Sequence, residues 1–122
     1  MDSETASPEV RASTCVRRIA NLETIETILV KAVARSFRVR PAALTQPGRT
    51  GAREALARHV AMYLAHVMFG WTYSRVARTF VRHRTSVLYA CARVEDRRDD
   101  RRFDARLVRL ENIIQSALDA VQ

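Results

Sequence analysis

The chain has 122 residues, a length that fits one domain, and 48% of them are hydrophobic, which is enough for one modest core. Three glycines and three prolines are too few for the many turns of a β-sandwich, so we expect an all-α, compact helical bundle. The formal net charge of +8 attracts polyanions, with nucleic acid the first candidate and an acidic membrane surface the second.

Several classes of protein are disfavoured by what the sequence lacks. No run of about 18 apolar residues occurs, and residues 1–13 have no basic start followed by an apolar stretch, so we expect a cytoplasmic protein. Cys15 and Cys91 have no partner at a metal or redox spacing and are expected to be reduced thiols. His59 and His66 share a helix face, but no acid or cysteine nearby completes a metal site. We therefore expect no cofactor, no metal and no enzymatic activity.

The first third of the chain is predicted to contain a tail and then helix. Residues 1–12 are small and polar, and we interpret them as a flexible tail before a domain of residues 13–122. From Ser13 to Phe37 apolar residues recur at helical spacing, in one long helix or two consecutive ones. The Arg40-Pro41 step should end this segment, because the residue before a proline is pushed out of helical conformation, and Pro41 can start a short turn.

A basic loop and a second long helix follow. Residues 46–51 hold two of the three glycines and one proline, so they should be exposed, and Arg49 and Arg53 make the segment basic. Helical spacing returns from Ala52 to Met68, and Gly70 should end this helix. Its inward face is expected to carry Leu56, Val60, Leu64 and Val67.

Two short helices joined by a tight turn are predicted next. Residues 73–80 carry apolar side chains at the i, i+3, i+4 and i+7 positions of a helix, with Thr72 as its N-cap. After Val81-Arg82-His83, helical spacing resumes over residues 85–94. In a helix-turn-helix the second helix enters the major groove of DNA while the first braces across the phosphates. Aromatic residues at helical spacing are more often core than base-stacking, which applies here to Trp71, Tyr73 and Phe80.

The end of the chain is predicted to be a solvated turn and a last helix. Residues 95–102, EDRRDDRR, mix acids and bases at i+3 and i+4 spacing, and we interpret them as a surface rather than a site. Residues 103–121 form a helix with an apolar seam of Leu107, Leu110, Ile114, Ala117 and Val121. The seam packs on its own domain in our leading interpretation. Dimerisation or docking of a partner helix stays open.

Two ordered motifs carry a resemblance to a known family. Residues 57–64 read ARHVAMYL, and residues 80–91 read FVRHRTSVLYAC. They resemble the AR-x-x-AMYL helix and the F-G-(G)-R-D-H-T-T-V-L-H-A-C signature of the C-terminal DNA-binding domain of the bacterial replication initiator DnaA, and the likeness extends from about Ile28 to Leu118. It implies the fold of DnaA domain IV, a helix-turn-helix bundle similar to Trp repressor, and binding of double-stranded DNA on the bacterial nucleoid.

The opening of the second helix carries the candidate base contacts. By their chemistry alone, Arg84 can donate two hydrogen bonds to guanine O6 and N7, and Thr85 and Ser86 can reach a phosphate or a base. The resemblance puts His83 and Arg84 at the family's D-H positions, and Thr85 and Ser86 at its T-T positions, which contact bases and phosphates in the major groove. Because an imidazole and a guanidinium replace an acid and an imidazole, we do not expect the DnaA site to be the preferred sequence.

The resemblance also implies contacts outside the major groove. In the family an arginine of the basic loop enters the adjacent minor groove, and Arg49, or failing that Arg53, is the candidate here. Ser74 and Arg75 stand where the first helix of the motif approaches the phosphate backbone, and Arg82 completes the set of candidate DNA-binding residues.

The cellular role is expected to be regulatory. No G-x-x-x-x-G-K-[ST] loop is present, so this chain cannot hydrolyse ATP as an initiator does. A domain of this kind resembles the short DnaA-like regulators of alphaproteobacteria, including activators of gene-transfer-agent genes, which implies a transcription factor working with RNA polymerase or a second transcription protein. Two alternatives stay open: a protein interaction module, and a replication accessory protein that competes at initiator sites.

Overall fold

The computed structural model describes residues 24–48 and 50–121, and within these ranges it contains six helices and no strand. The first, α1, is helical from residue 24 to residue 37. The others are α2 (Ala42–Thr45), α3 (Ala52–Phe69), α4 (Tyr73–Phe80), α5 (Arg84–Arg97) and α6 (Arg101–Ala120). The all-α class is therefore confirmed. The expected tail over residues 1–12 and the predicted helix over residues 13–23 lie outside the described residues.

Helix α1 ends at residue 37, three residues before Arg40, the latest position that Pro41 would allow. Arg38 takes a left-handed conformation with φ of 57°, and the N–H of Val39 then donates to the Ala34 carbonyl at 3.0 Å. Such a left-handed residue closes a helix by giving its last carbonyls new donors. Pro41 acts one step later, as the N-cap of the short helix α2, and this short turn was predicted.

Helix α3 forms the centre of the domain. It ends at Gly70, which takes the left-handed conformation that glycine adopts without strain, with φ of 67°. Its middle is buried on several sides rather than along one stripe, by Ala57, Val60, Ala61, Met62, Tyr63, Leu64 and Ala65. The prediction for Val67 was wrong, because its side chain is 50% exposed while His66, Met68 and Phe69 around it are partly buried. Leu56, near the other end, is only partly buried.

Helices α4 and α5 match the predicted helix, short turn, helix. The Thr72 hydroxyl accepts a hydrogen bond from the N–H of Arg75 at 3.1 Å, so the predicted N-cap is confirmed. Helix α5 rests on the core through Val87, Ala90, Cys91 and Val94, which are all buried. Leu88 is exposed, because it lies one residue off that inward face.

The junction between α5 and α6 is more than the solvated surface that the sequence predicts. The Arg98 guanidinium donates to Asp104 and, at 3.1 Å, to Glu111 on α6, and at 3.3 Å to the hydroxyl of Tyr63 on α3. The Tyr63 hydroxyl in turn donates to Glu95 at 2.9 Å. Burial, the largest single influence, lowers the pKa of Arg98, but these hydrogen bonds outweigh it and raise the pKa above its ordinary value.

Helix α6 packs against its own domain through most of the predicted seam. Phe103, Leu107, Leu110, Ile114 and Leu118 are buried, Ala117 is partly buried, and Val121 is exposed beyond the end of the helix. The Arg106 guanidinium lies 3.9 Å from the centre of the Phe37 ring and donates to the Ser36 carbonyl, so α6 also closes the end of α1. Within the described ranges, none of the helices is both long and apolar enough to span a bilayer.

Candidate nucleic-acid interface

The first turn of α5 presents four polar side chains to solvent. His83, Arg84, Thr85 and Ser86 are all exposed, while Val87, the next residue, is fully buried. The buried face thus holds the helix in place, and the exposed first turn projects from it. The N-cap residue His83 makes no side-chain capping bond, so the first backbone N–H groups of α5 also face outward. Such groups favour acceptors such as phosphate oxygens.

The start of α4 supplies further polar groups. Ser74 is exposed, and the Arg75 guanidinium lies 4.0 Å from the centre of the buried Trp71 ring, which holds its charge near the surface. Tyr73 is partly buried and stacks on His66, with ring centres 4.4 Å apart. Trp71 and Phe80 are buried, so the prediction that the aromatic residues are core is confirmed for these two.

The two candidate histidines have other partners. The Nδ1 atom of His66 is 2.8 Å from the Trp71 carbonyl oxygen, a geometry in which this nitrogen carries the proton and donates it. The ring of His59 meets the ring of Tyr89 edge-on, with centres 6.1 Å apart. Among the described residues, no three His, Cys, Asp or Glu side chains are grouped closely enough to hold a metal ion.

Arg82 lies in the turn between α4 and α5, and its guanidinium binds backbone carbonyls of the protein. Nη1 donates to Val81 at 2.9 Å, to Gln46 at 3.1 Å and to Phe80 at 3.4 Å, and Nη2 donates to Gly48 at 3.4 Å. The basic loop therefore lies beside the opening of α5. Arg49, the first minor-groove candidate, lies outside the described residues, although its neighbours on both sides are described.

A cleft lies between α3, Arg82 and the first two turns of α5. It is lined by Arg58, His59, Met62, Arg82, Thr85, Ser86 and Tyr89. Arg58, in the first of the two motifs, is only 9% exposed, and its Nη1 atom donates to the Thr50 hydroxyl at 3.1 Å and to the Ala43 carbonyl at 3.4 Å. Burial, followed by the charge of Arg82, lowers the pKa of Arg58. Of the candidate DNA-binding residues, Arg82, Thr85 and Ser86 therefore line the same cleft.

Arg53 lines a different cleft from Arg82. It is exposed and lines a second cleft between α3, α5 and α6, together with His59, Arg93, Arg97 and Arg106. His59 lines both clefts. Burial, followed by the charges of Arg58 and Arg93, lowers the pKa of His59, so this imidazole lies in a positive potential. Arg53 and the Arg82 group therefore belong to adjoining basic surfaces rather than to one cluster.

The sequence analysis missed exposed residues farther along α5. Tyr89 is 58% exposed one turn after Thr85, and the Arg93 guanidinium lies 5.8 Å from the centre of the Tyr89 ring, one turn farther still. The spacing of four between residues 85, 89 and 93 is the signal that could have shown this face, because such residues share one side of a helix. The polar side of α5 thus extends well beyond its first turn.

The fold and this surface define a helix-turn-helix DNA-binding module: two short helices meet at a tight turn, and the second exposes a polar, basic first turn. The sequence model of the bacterial DnaA protein helix-turn-helix matches residues 25–94. These residues make up more than half of the chain and include both motifs, so the chain belongs to the DnaA C-terminal helix-turn-helix family, whose domain binds double-stranded DNA. Helix α6 lies beyond the matched range. No curated protein matches the chain.

Proposed function

We propose that this protein is a sequence-specific transcription regulator that acts on duplex DNA in the bacterial cytoplasm. The first turn of α5 reads the major groove, and the segment of residues 46–53, which is the basic loop and the start of α3, reaches the neighbouring minor groove. The observation that supports this most directly is the exposure of four polar side chains on a helix whose opposite face is buried.

The individual contacts follow from the chemistry of each side chain. Arg84 pairs with a guanine edge, and Thr85 and Ser86 contact a base or a phosphate beside it. His83 faces the same groove, at a position where the family has an acid. Ser74 and Arg75 bind phosphates from the start of α4, where Ser74 is exposed and the Arg75 guanidinium lies over the Trp71 ring.

The loop makes a second contact in this proposal. Arg49 inserts into the minor groove, where narrow A·T-rich steps concentrate negative potential, and Arg53 on the adjoining surface adds a phosphate contact. Selection of bound duplexes from a random library tests the major-groove and minor-groove contacts in one experiment. We expect a short core sequence containing a guanine, flanked by A·T-rich steps, and recovery of unselected sequence alone would contradict the proposal.

Salt dependence measures how many phosphates the protein neutralises. If about 5 or 6 phosphates are contacted, log affinity should fall with log salt at a slope of about −5. Fluorescence anisotropy with a labelled duplex at several salt concentrations gives this slope. A slope near zero would favour the protein interaction module over DNA binding.

The regulatory role has a direct test in cells. We infer that the protein activates promoters, gene-transfer-agent genes among them, together with RNA polymerase or a second transcription protein. A replication accessory protein would use the same interface at initiator sites. Mapping occupied chromosomal sites separates the two, since enrichment at promoters supports regulation and enrichment at the origin supports the accessory role.

A further inference from the structure

Arg82 is placed between two DNA-facing segments and is bonded to both. Two of its acceptors, the carbonyls of Phe80 at the end of α4 and of its C-cap Val81, lie just before the opening of α5. The other two, the Gln46 and Gly48 carbonyls, belong to the basic loop. Gly48 and Gln46 lie 34 and 36 positions before Arg82 in the chain.

The chemistry of these acceptors explains why an arginine suits this position. The last carbonyls of α4 lack partners within the helix and carry the negative end of its dipole, so a cation beside them is stabilised. A planar guanidinium offers five N–H donors in a fixed fork and can therefore bridge two segments at once. Gly48 has φ of 115°, a conformation that favours glycine, and its carbonyl meets Nη2.

The loop is also held at its other end. Arg58 donates to the Thr50 hydroxyl and to the Ala43 carbonyl of α2, and it is almost fully buried. Arg82 binds the residues that precede Arg49 in sequence, and Arg58 binds the residue that follows it. Two guanidinium groups thus fix the loop on both sides of the proposed minor-groove arginine.

We propose that Arg82 is a positioning residue that sets the distance between the two DNA-reading elements, rather than a phosphate contact. By fixing the loop against the opening of α5, it lets the major-groove and minor-groove contacts form together without the cost of ordering the loop at the moment of binding. This inference rests on the proposed function, because it assumes that the loop reads the minor groove.

A double-mutant cycle separates positioning from direct contact. We expect Arg82→Lys to lower affinity about fivefold on an A·T-flanked site, and to have less than about a twofold effect when Arg49→Ala is already present, because the two residues act on one contact. A lysine ammonium keeps the charge but cannot bridge four carbonyls in two segments. Equal losses in both backgrounds, or no loss with Arg82→Lys, would show an independent or merely electrostatic contact and would overturn the inference.

Hydrogen exchange supplies a readout that does not depend on DNA. In Arg82→Lys we expect faster exchange of the amides around residues 46–50, with protection in α3 and α5 unchanged. Unchanged exchange in the loop would contradict the positioning role even if DNA affinity fell. Arg102→Ala is the matched control, because Arg102 is an exposed arginine on α6 that lines neither cleft.

The outcomes also distinguish this inference from the proposed function. If the unaltered protein shows no preference for duplex sequence, the proposed function fails. If it shows that preference and Arg49→Ala weakens binding, but Arg82→Lys adds an independent loss, only the positioning role of Arg82 is wrong.

Discussion

Two junctions on either side of α5 each depend on one arginine, but the two arginines differ in what they bind. Arg98, after α5, donates to the carboxylates of Asp104 and Glu111 and to the Tyr63 hydroxyl. Arg82, before α5, donates only to neutral carbonyls among the partners seen in the described chain. The charge of Arg98 is therefore neutralised inside the protein, whereas the charge of Arg82 adds to a positive surface.

The difference shows why a count of arginines does not locate an interface. An arginine paired with acids stabilises the fold and contributes little potential outside it. An arginine bound only to carbonyls has no opposite charge beside it, so its charge adds to the potential outside the protein. The junction before α5 thus favours an anionic partner, and the junction after α5 holds α6 against α3.

The largest expected effect comes from removing the arginine that is paired with acids. Arg98→Met should destabilise the protein by about 2 kcal/mol, because it leaves two carboxylates and a hydroxyl without their donor. The loss is smaller than for a fully buried pair, since the Asp104 side chain is 42% exposed. Urea unfolding measures it. An unchanged midpoint would show that the network contributes nothing, and DNA affinity of the folded protein should stay the same in either case.

A smaller effect is expected at the turn before α5. Val81 has φ of 53°, a left-handed conformation that costs a β-branched residue about 1 to 2 kcal/mol, and its side chain is 49% exposed. Val81→Gly should raise stability by about 0.5 to 1 kcal/mol, since glycine removes the strain but loses more entropy on folding. Thermal unfolding checks this.

The opposite change at the end of α3 serves as the matched control for Val81. Gly70 has φ of 67°, so Gly70→Ala should lower stability by about 1 kcal/mol. A loss of stability in Val81→Gly comparable to that of the control would mean that the valine is not strained.

The smallest effect concerns pH. Burial and the charges of Arg58 and Arg93 lower the pKa of His59, so the folded protein resists a proton that the unfolded chain accepts. This contribution to stability is present above the ordinary histidine pKa of about 6.5 and is lost as the pH falls below it. Between pH 7.5 and 5 the original protein should lose more stability than His59→Gln. Parallel pH profiles for the two proteins would contradict this assignment.

Local patterns were enough to predict much of the fold. Thr72 caps α4 and Gly70 ends α3 as expected, because capping and left-handed turns depend on a few neighbouring residues. The helical pattern up to Phe37 matches the observed end of α1, but the left-handed Arg38 that closes the helix could not be predicted, because a non-glycine residue in this conformation has no sequence signal. Val67 was assigned to the inward face of α3 wrongly, since its exposure depends on which neighbouring elements cover the last turn.

The sequence predicted which residues the candidate site contains better than it predicted the contacts that those residues make. The opening of α5 follows from the motif, and the structure shows it exposed. The loop partners of Arg82 could not be predicted, because it joins residues far apart in the chain through carbonyls that carry no side-chain signal. The segment of residues 95–102 looked like plain surface because the partners of Arg98 on α3 and on α6 are distant in sequence.

Base discrimination by Arg84 tests the central claim most directly. The measurement compares affinities of the original protein and Arg84→Ala for the selected site and for the same site with its guanine replaced. We expect the original protein to lose about 1 to 3 kcal/mol on the replaced site, and Arg84→Ala to bind both duplexes equally. If Arg84→Ala weakens binding to the two duplexes by the same factor and keeps their difference, the first turn of α5 does not read the base.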